Sequence, residues 1–306
     1  MPKLTTQIIK DWIVLGKGSF TLNEIHKELN IITAEGKGHL RVIMHNLVKE
    51  NYVERVGKRD GVFRMVNSSK DKIEWESANP DATIPLKFPF AIEKYVSLYS
   101  KNIVVVAGEV NSGKTAFLYN MAVMNMEQPI DFYTNNESSP EEIKKRLTAF
   151  EIPSPCPFPI YERYDNWADV IDPDHISIVD YLDMGGDAVY LVGEEIAKIQ
   201  FKLKTGIAIL GLQLPSPTVQ LVKGKKQYLH RDLGYGRDFS AMKASLYLSL
   251  WKEQGDNEGI CKIIKAKNRA MPLINPVNMR FKFRIDEFGA KFVEWEQFTG
   301  EENIQW

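Results

Sequence analysis

Gly108-Glu-Val-Asn-Ser-Gly113-Lys114-Thr115 joins an apolar run, Ile103–Ala107, to a segment with helical apolar spacing. The two glycines let the backbone curl so that successive N–H groups converge, and a helix starting near Lys114 adds the positive end of its dipole. A loop of this composition cradles phosphate. Its lysine reaches the terminal phosphates, and its threonine hydroxyl ligates Mg²⁺, a cation that prefers oxygen. Gly108, Asn111, Ser112, Gly113, Lys114, Thr115 and Ala116 are therefore the expected nucleotide-binding residues. A carboxylate at the end of a neighbouring strand must complete the metal site. "HISIVDYL" supplies Asp180, expected to order Mg²⁺ together with Thr115.

Four further residues carry chemistry. Glu137 follows the apolar run "IDFYT" and precedes Ser139-Pro140-x-Glu142, a helix start with N-cap, first-turn proline and capping acid. A carboxylate on a loop at the carboxyl end of a strand can polarise an attacking water; it can also be a solvated acid. Gln213 ends "GIAILGLQ", where its amide can sense a γ-phosphate or simply sit in a turn. Lys267 and Arg269 follow "CKIIKA". There they can act as fingers on a neighbour's nucleotide or form a solvated basic turn.

The elements that must position these groups alternate. Strand-like runs at Ile103–Ala107, Ile130–Thr134, Ile176–Asp180, Ile207–Leu212, Leu246–Trp251 and Ile260–Ala266 are separated, in the early part, by helix-like runs. That predicts an α/β domain with a largely parallel sheet covered by helices over residues 85–306. Residues 1–66 read differently. Helical spacing at 5–16, a T-x-x-E capping box at Thr21 and Glu24, a helix over 36–50 and two short strands around "GKRDG" give the order of a winged helix. Residues 67–84 are polar and turn-rich. They are expected to be a linker with a short helix at Lys70–Glu76.

Together, "GEVNSGKT", "FYTNNESSPEEIKKRL", "IVDYL", "GLQLPS", "RDLGYGRDFSAMKASLYLSL" and "KIIKAKNR" resemble the RecA/DnaB group of ring-forming ATPases, most closely the DnaB-type replicative helicase motor. The resemblance spans roughly 88–294. It implies a RecA-like core, ATP with Mg²⁺, and Glu137 as catalytic carboxylate. It also implies that Lys267 and Arg269 reach across a subunit boundary in a homo-oligomeric, hexameric ring. The chain departs from the group in its first domain, a winged helix where those helicases carry a helical one, and in "TNNESS" around Glu137.

Nucleic acid has two expected docking places. Lys37, Arg41 and His45 recur every four residues opposite the apolar stripe of the third helix, with Lys58 and Arg59 at the wing tip. That face suits a duplex groove, or else a protein partner. The segment 215–236, rich in Gly and Pro, reads as a mobile loop carrying Lys223, Lys225, Lys226, His230 and Arg231. In a ring it is expected to hold single-stranded DNA in the channel. The chain's formal net charge is −1, but residues 1–66 carry 11 basic and 7 acidic residues, a local +4. Two cysteines are too few for a disulfide framework, and neither a signal peptide nor a membrane-length apolar run is evident. The expected protein is a cytoplasmic DNA-acting ATPase, a helicase or translocase in replication or recombination. The alternatives are an ATP-switched DNA-binding regulator or loader and a recombinase-like filament former.

Overall fold

A computed structural model describes residues 4–15, 18–57, 61–66, 70, 72–135, 139–183, 191–222, 225–253, 255 and 257–298. The chain divides into two compact units, Met1–Ala78 and Asn79–Trp306, with the division inside the expected linker.

The first unit contains α1 (Thr6–Leu15), β1 (Ser19–Thr21), α2 (Leu22–Glu28), α3 (Ala34–Lys49), β2 (Val53–Arg55) and β3 (Val62–Met65). The strands form an antiparallel sheet in the order β1-β3-β2. At the start of α2 the Glu24 N–H donates to the Thr21 hydroxyl at 3.2 Å, and the Thr21 N–H donates back to the Glu24 carboxylate. This is the reciprocal cap that the T-x-x-E spacing predicts. Ile9, Ile13, Ile25, Leu40, Ile43, Met44 and Leu47 bring the three helices onto one core with Phe20 and Phe63 of the sheet. Strand β1 has no signature in the sequence, because three residues are too few to show a period. The expected helix at 70–76 is only a 3-10 turn at Trp75–Ser77. Ile73 and Trp75 face solvent there, so no burial offsets the cost of nucleating a helix.

The second unit runs β4 (Ile103–Gly108), α4 (Lys114–Met124), β5 (Ile130–Thr134), α5 (Pro140–Leu147), β6 (Ile160–Glu162), α6 (Trp167–Val170), β7 (Ile176–Asp180), α7 (Val192–Lys202), β8 (Ile207–Gln213), β9 (Thr218–Val222), β10 (Lys225–Leu229), α8 (Asp238–Met242), β11 (Leu246–Lys252), β12 (Glu258–Ala266), β13 (Arg280–Ile285) and β14 (Phe292–Phe298). Its main sheet has nine strands in the order β14-β13-β12-β11-β4-β8-β7-β5-β6. From β11 to β6 all neighbours are parallel, and β12, β13 and β14 extend the sheet antiparallel. The α/β core expected from the alternation of runs is the one observed.

All six residues of β4 are buried at the centre of this sheet. Val104 and Val106 pack on one face with Phe117, Leu118 and Met121 of α4. Val105 and Ala107 pack on the other with Ile196 and Ile199 of α7. Covering both faces explains why these strands read as continuous apolar runs. The turn entering β8 is equally tight. The Lys204 and Gly206 N–H groups both donate to the Pro173 carbonyl, at 2.8 and 3.0 Å, and a Cβ on Gly206 would stand 2.1 Å from the His175 carbonyl oxygen. Backbone cannot swing aside as a side chain can. Gly206→Ala is therefore expected to cost about 3 kcal/mol, at the upper end of ordinary overpacking, read as a lower urea midpoint. A loss under about 0.5 kcal/mol, within the range of an ordinary surface substitution, would show that the two turns separate freely.

Within the segment 215–236, expected to be a mobile loop, two strands are present: β9 and β10 pair antiparallel from Thr218↔Leu229 to Val222↔Lys225. The hairpin stands apart from the nine-stranded sheet.

Candidate nucleotide site

The phosphate loop sits at the carboxyl end of β4. Gly113, the N-cap of α4, has φ +87, and a Cβ on it would meet Ile285 Cδ1 of β13 at 2.5 Å, so only glycine fits. A Cβ on Gly108 would lie 2.6 Å from Ser112 Oγ. The loop floors a cavity of about 470 Å³ walled by Arg146, Tyr181, Gln213, Lys252, Asn257, Glu258, Ile285 and Gly289.

Lys114 and Asp180 meet at this floor. Nζ lies 3.3 Å from Oδ1, and both side chains are almost fully buried. The ammonium also stands 3.8 Å from the centre of the Tyr181 ring. Burial lowers the Lys114 pKa below its ordinary value, and Asp180 opposes that shift by its charge and hydrogen bond. Two polar atoms of the floor remain buried with no hydrogen-bond partner, Asp180 Oδ2 and Ser112 Oγ. Leaving a carboxylate oxygen bare in the interior is costly unless something positive or a donor occupies the space beside it. Thr115, half-buried one residue beyond Lys114, brings a hydroxyl to the same loop. An orphaned carboxylate oxygen, a hydroxyl and a desolvated lysine at the mouth of a helix N-terminus fit a Mg²⁺–triphosphate.

The other expected residues are dispersed. Gln213 ends β8, pairs with Gly108 across the sheet and lines the cavity; its amide donates to the Leu214 carbonyl at 3.1 Å. Glu137 lies outside the described residues. The Ser139 cap that follows it is present, with the Glu142 N–H donating to Ser139 Oγ at 3.2 Å. Lys267 and Arg269 are exposed just past β12, whose Ala266 pairs with Leu246 at the end of the sheet away from Gly108. They do not line this chain's own cavity. In the first unit Lys37, Arg41 and His45 are exposed opposite the buried stripe of α3. The positive character of that face is felt by His26, whose pKa is lowered by burial and then by Lys37 and Arg41. Lys58, Arg59 and Lys223 lie outside the described residues. Lys225 and Lys226 begin β10. Arg231 is exposed, but His230 faces inward, toward Glu109, and is not a free contact for nucleic acid.

Two residues of the site escape a reading of the sequence. Arg146 enters the cavity from the last turn of α5 and donates to the Gly289 carbonyl at 3.0 Å. Its signal is Ile143-x-x-Arg146-Leu147, the inward stripe of a helix that leaves the loop holding Glu137. Glu109, inside the loop motif at a position the motif leaves open, is 6% exposed.

No family model matches the sequence. No curated protein matches it either. Among solved structures, the chain is similar to the RadB recombinase at 12% identity, covering 63% of this chain and 91% of that one with a TM-score of 0.44. A KaiC-like protein from Pyrococcus horikoshii OT3 is 15% identical over 72% of this chain and 100% of its own, TM-score 0.46. A third neighbour, a separately solved ATPase domain, is 16% identical over 65% of this chain and 86% of its own, TM-score 0.45. Likeness at this level carries no functional argument, and the α/β assignment rests on the strand order and the loop described above. No helix among the described residues is long and apolar enough to cross a membrane.

Proposed function

We propose that this chain is a Mg²⁺-dependent ATPase acting on DNA: a RecA/DnaB-like motor with an N-terminal winged helix. The observation that carries the reading is the buried Lys114–Asp180 pair, with Asp180 Oδ2 unsatisfied, at the floor of a glycine-shaped cradle.

In this reading the loop N–H groups from Gly108 to Ala116 bind the β- and γ-phosphate oxygens. Lys114 turns from Asp180 towards the γ-phosphate. Thr115 and Asp180 hold Mg²⁺, which supplies charge neutralisation of the phosphates when bound. Glu137 orients the attacking water and takes its proton. Arg146 reaches the phosphates from within the chain, and Gln213 passes the state of the γ-phosphate to the segment that follows β8. Lys267 and Arg269, remote from their own cavity, complete the site of a neighbouring copy in a ring, a hexamer by resemblance. Lys223, Lys225 and Lys226 of the segment 215–236, together with Arg231, track the backbone of single-stranded DNA. The cytoplasm is the compartment this reading requires.

The exposed Lys37, Arg41 and His45 on α3 favour a second reading, in which the sequence's Lys58 and Arg59 join them. There the first unit selects a duplex site and ATP switches assembly, as in a regulator or loader. ATP turnover measured alone, with single-stranded DNA and with duplex separates the two. The motor reading expects strong stimulation by single strands, abolished by Lys114→Ala and by Glu137→Gln. Slow turnover with tight duplex binding supports the loader. No response to either DNA removes the DNA-acting claim and leaves a nucleotide switch.

A further inference from the structure

Both roots of the β9–β10 hairpin are tied to consecutive residues of the phosphate loop. On the entering side, the Leu214 N–H, one residue past β8, donates to the Gly108 carbonyl at 2.8 Å. On the leaving side, His230, the first residue past β10, donates from Nδ1 to Glu109 Oε1 at 2.8 Å. The two ties differ in kind. The first is backbone to backbone and continues the sheet. The second is a single side-chain contact, made by a carboxylate that the phosphate-loop motif does not require.

That contact is held from both ends. The Glu109 side chain is 7% exposed, and its other oxygen accepts the Lys252 N–H at 3.4 Å. His230 lies flat on Trp251, ring centres 5.2 Å apart and planes 22° from parallel. Trp251 in turn donates to the Arg231 carbonyl at 3.2 Å, and Lys262 grips both carboxylate oxygens of Asp232, at 2.9 and 3.1 Å. The leaving strand is thus strapped across β11 and β12 so that His230 is delivered to the loop. Beyond the straps the hairpin stands away from the main sheet and exposes Val219, Leu221 and Tyr228 on one face. A two-stranded hairpin in water is marginal by itself, so its order depends on its roots.

We infer that Glu109 and His230 are positioning residues that couple phosphate-loop occupancy to the order of the hairpin at Thr218–Leu229. Phosphate in the cradle fixes the backbone of Gly108 and Glu109. Glu109 then holds His230, and the hairpin root loses freedom. Linkage makes the effect reciprocal: whatever orders the hairpin tightens the phosphate loop by the same factor. The inference rests on the nucleotide reading of the cavity and adds to it a second route, at the leaving strand of the hairpin, beside that of Gln213 at its entering side.

Two variants of His230 separate this role from packing. His230→Asn keeps a donor near the position of Nδ1 but loses the ring on Trp251. His230→Phe keeps the ring and loses the donor. Amide hydrogen exchange over 218–229 is measured on the full chain, with and without Mg²⁺ and a non-hydrolysable ATP analogue. Binding of the analogue is measured by calorimetry on the same samples. The wild type and His230→Asn are expected to show slower hairpin exchange with nucleotide by about 5- to 150-fold, the usual span of coupling between sites. His230→Phe is expected to bind the analogue yet show a response at least about fivefold smaller than the wild type's. The inference is overturned if His230→Phe responds like the wild type, or if the analogue binds and the wild-type hairpin does not respond. Absence of binding by the wild type would overturn the nucleotide reading as well.

Discussion

Lys114→Ala is expected to lower kcat/KM for ATP turnover by roughly 10³-fold, the scale on which one preorganised donor to developing charge acts in a water-poor site. The magnitude follows from burial. Lys114 is held almost entirely out of solvent, its charge opposed by desolvation and supported by a single carboxylate, Asp180. An ammonium in that state is poorly solvated before nucleotide arrives and gains strongly from phosphate oxygens when it does, so its removal forfeits more than a surface lysine would. Arg146 reaches the cavity from α5 but is engaged with the Gly289 carbonyl and cannot replace a group on the floor of the loop. Steady-state turnover over a range of ATP concentrations checks this. A variant within tenfold of the wild type would mean that the loop does not bind the reacting phosphate.

Asp180→Asn is expected to change stability as well as turnover. Breaking a buried pair from one side leaves the partner charge uncompensated, at a cost of about 3–5 kcal/mol, whereas replacing both partners by apolar groups is often neutral or better. Asp180→Asn leaves Lys114 buried beside a neutral amide. The double substitution Lys114→Met with Asp180→Leu removes both charges from a floor already bordered by Tyr181. The single variant should unfold at a clearly lower urea concentration, and the double variant should recover most of that loss while remaining inactive. If the double variant is no more stable than the single one, the pair is not the electrostatic unit its 3.3 Å contact implies. Turnover in Asp180→Asn should fall with the Mg²⁺ dependence displaced to higher concentration, because an amide is a weaker oxygen ligand than a carboxylate.

Much of the core is legible because burial on both faces writes a strand as an uninterrupted apolar run. Ile130–Thr134 and Ile176–Asp180 coincide with β5 and β7 residue for residue, and Ile103–Ala107 falls one short of β4. The sheet's antiparallel edge is not legible. β14 is exposed over Val293–Gln297 and half-buried only at Phe292 and Phe298, and β13 interleaves arginine and lysine with phenylalanine, so neither shows the run that marks a buried strand. Hairpin β9–β10 reads as a mobile loop because of the prolines before it and the glycines around it, although Thr218–Val222 is β-branched at Thr218, Val219 and Val222. Short range decides the site in the same way. Lys114, Thr115 and Asp180 sit in patterns that chemistry requires. Glu109 and Arg146 matter through contacts with His230 and Gly289, more than a hundred residues away in the chain, and no local spacing announces a partner at that distance.

Ile285 closing over Gly113 has a consequence for the order in which the chain can mature. The first motif of the second unit cannot reach its final shape until β13 has been made, because the side chains that press on Gly113 belong to Phe283 and Ile285, roughly 170 residues downstream. At ribosomal rates of about 5–20 residues per second, the phosphate loop waits roughly ten to thirty seconds after its own synthesis before its roof exists. The first unit, whose helices and strands close on their own core within Met1–Ala78, faces no such delay. A nascent chain is therefore expected to display a folded N-terminal unit well before it can grip a nucleotide. A truncation just before β13 would keep β4 and its glycines yet lack the surface that holds them in register.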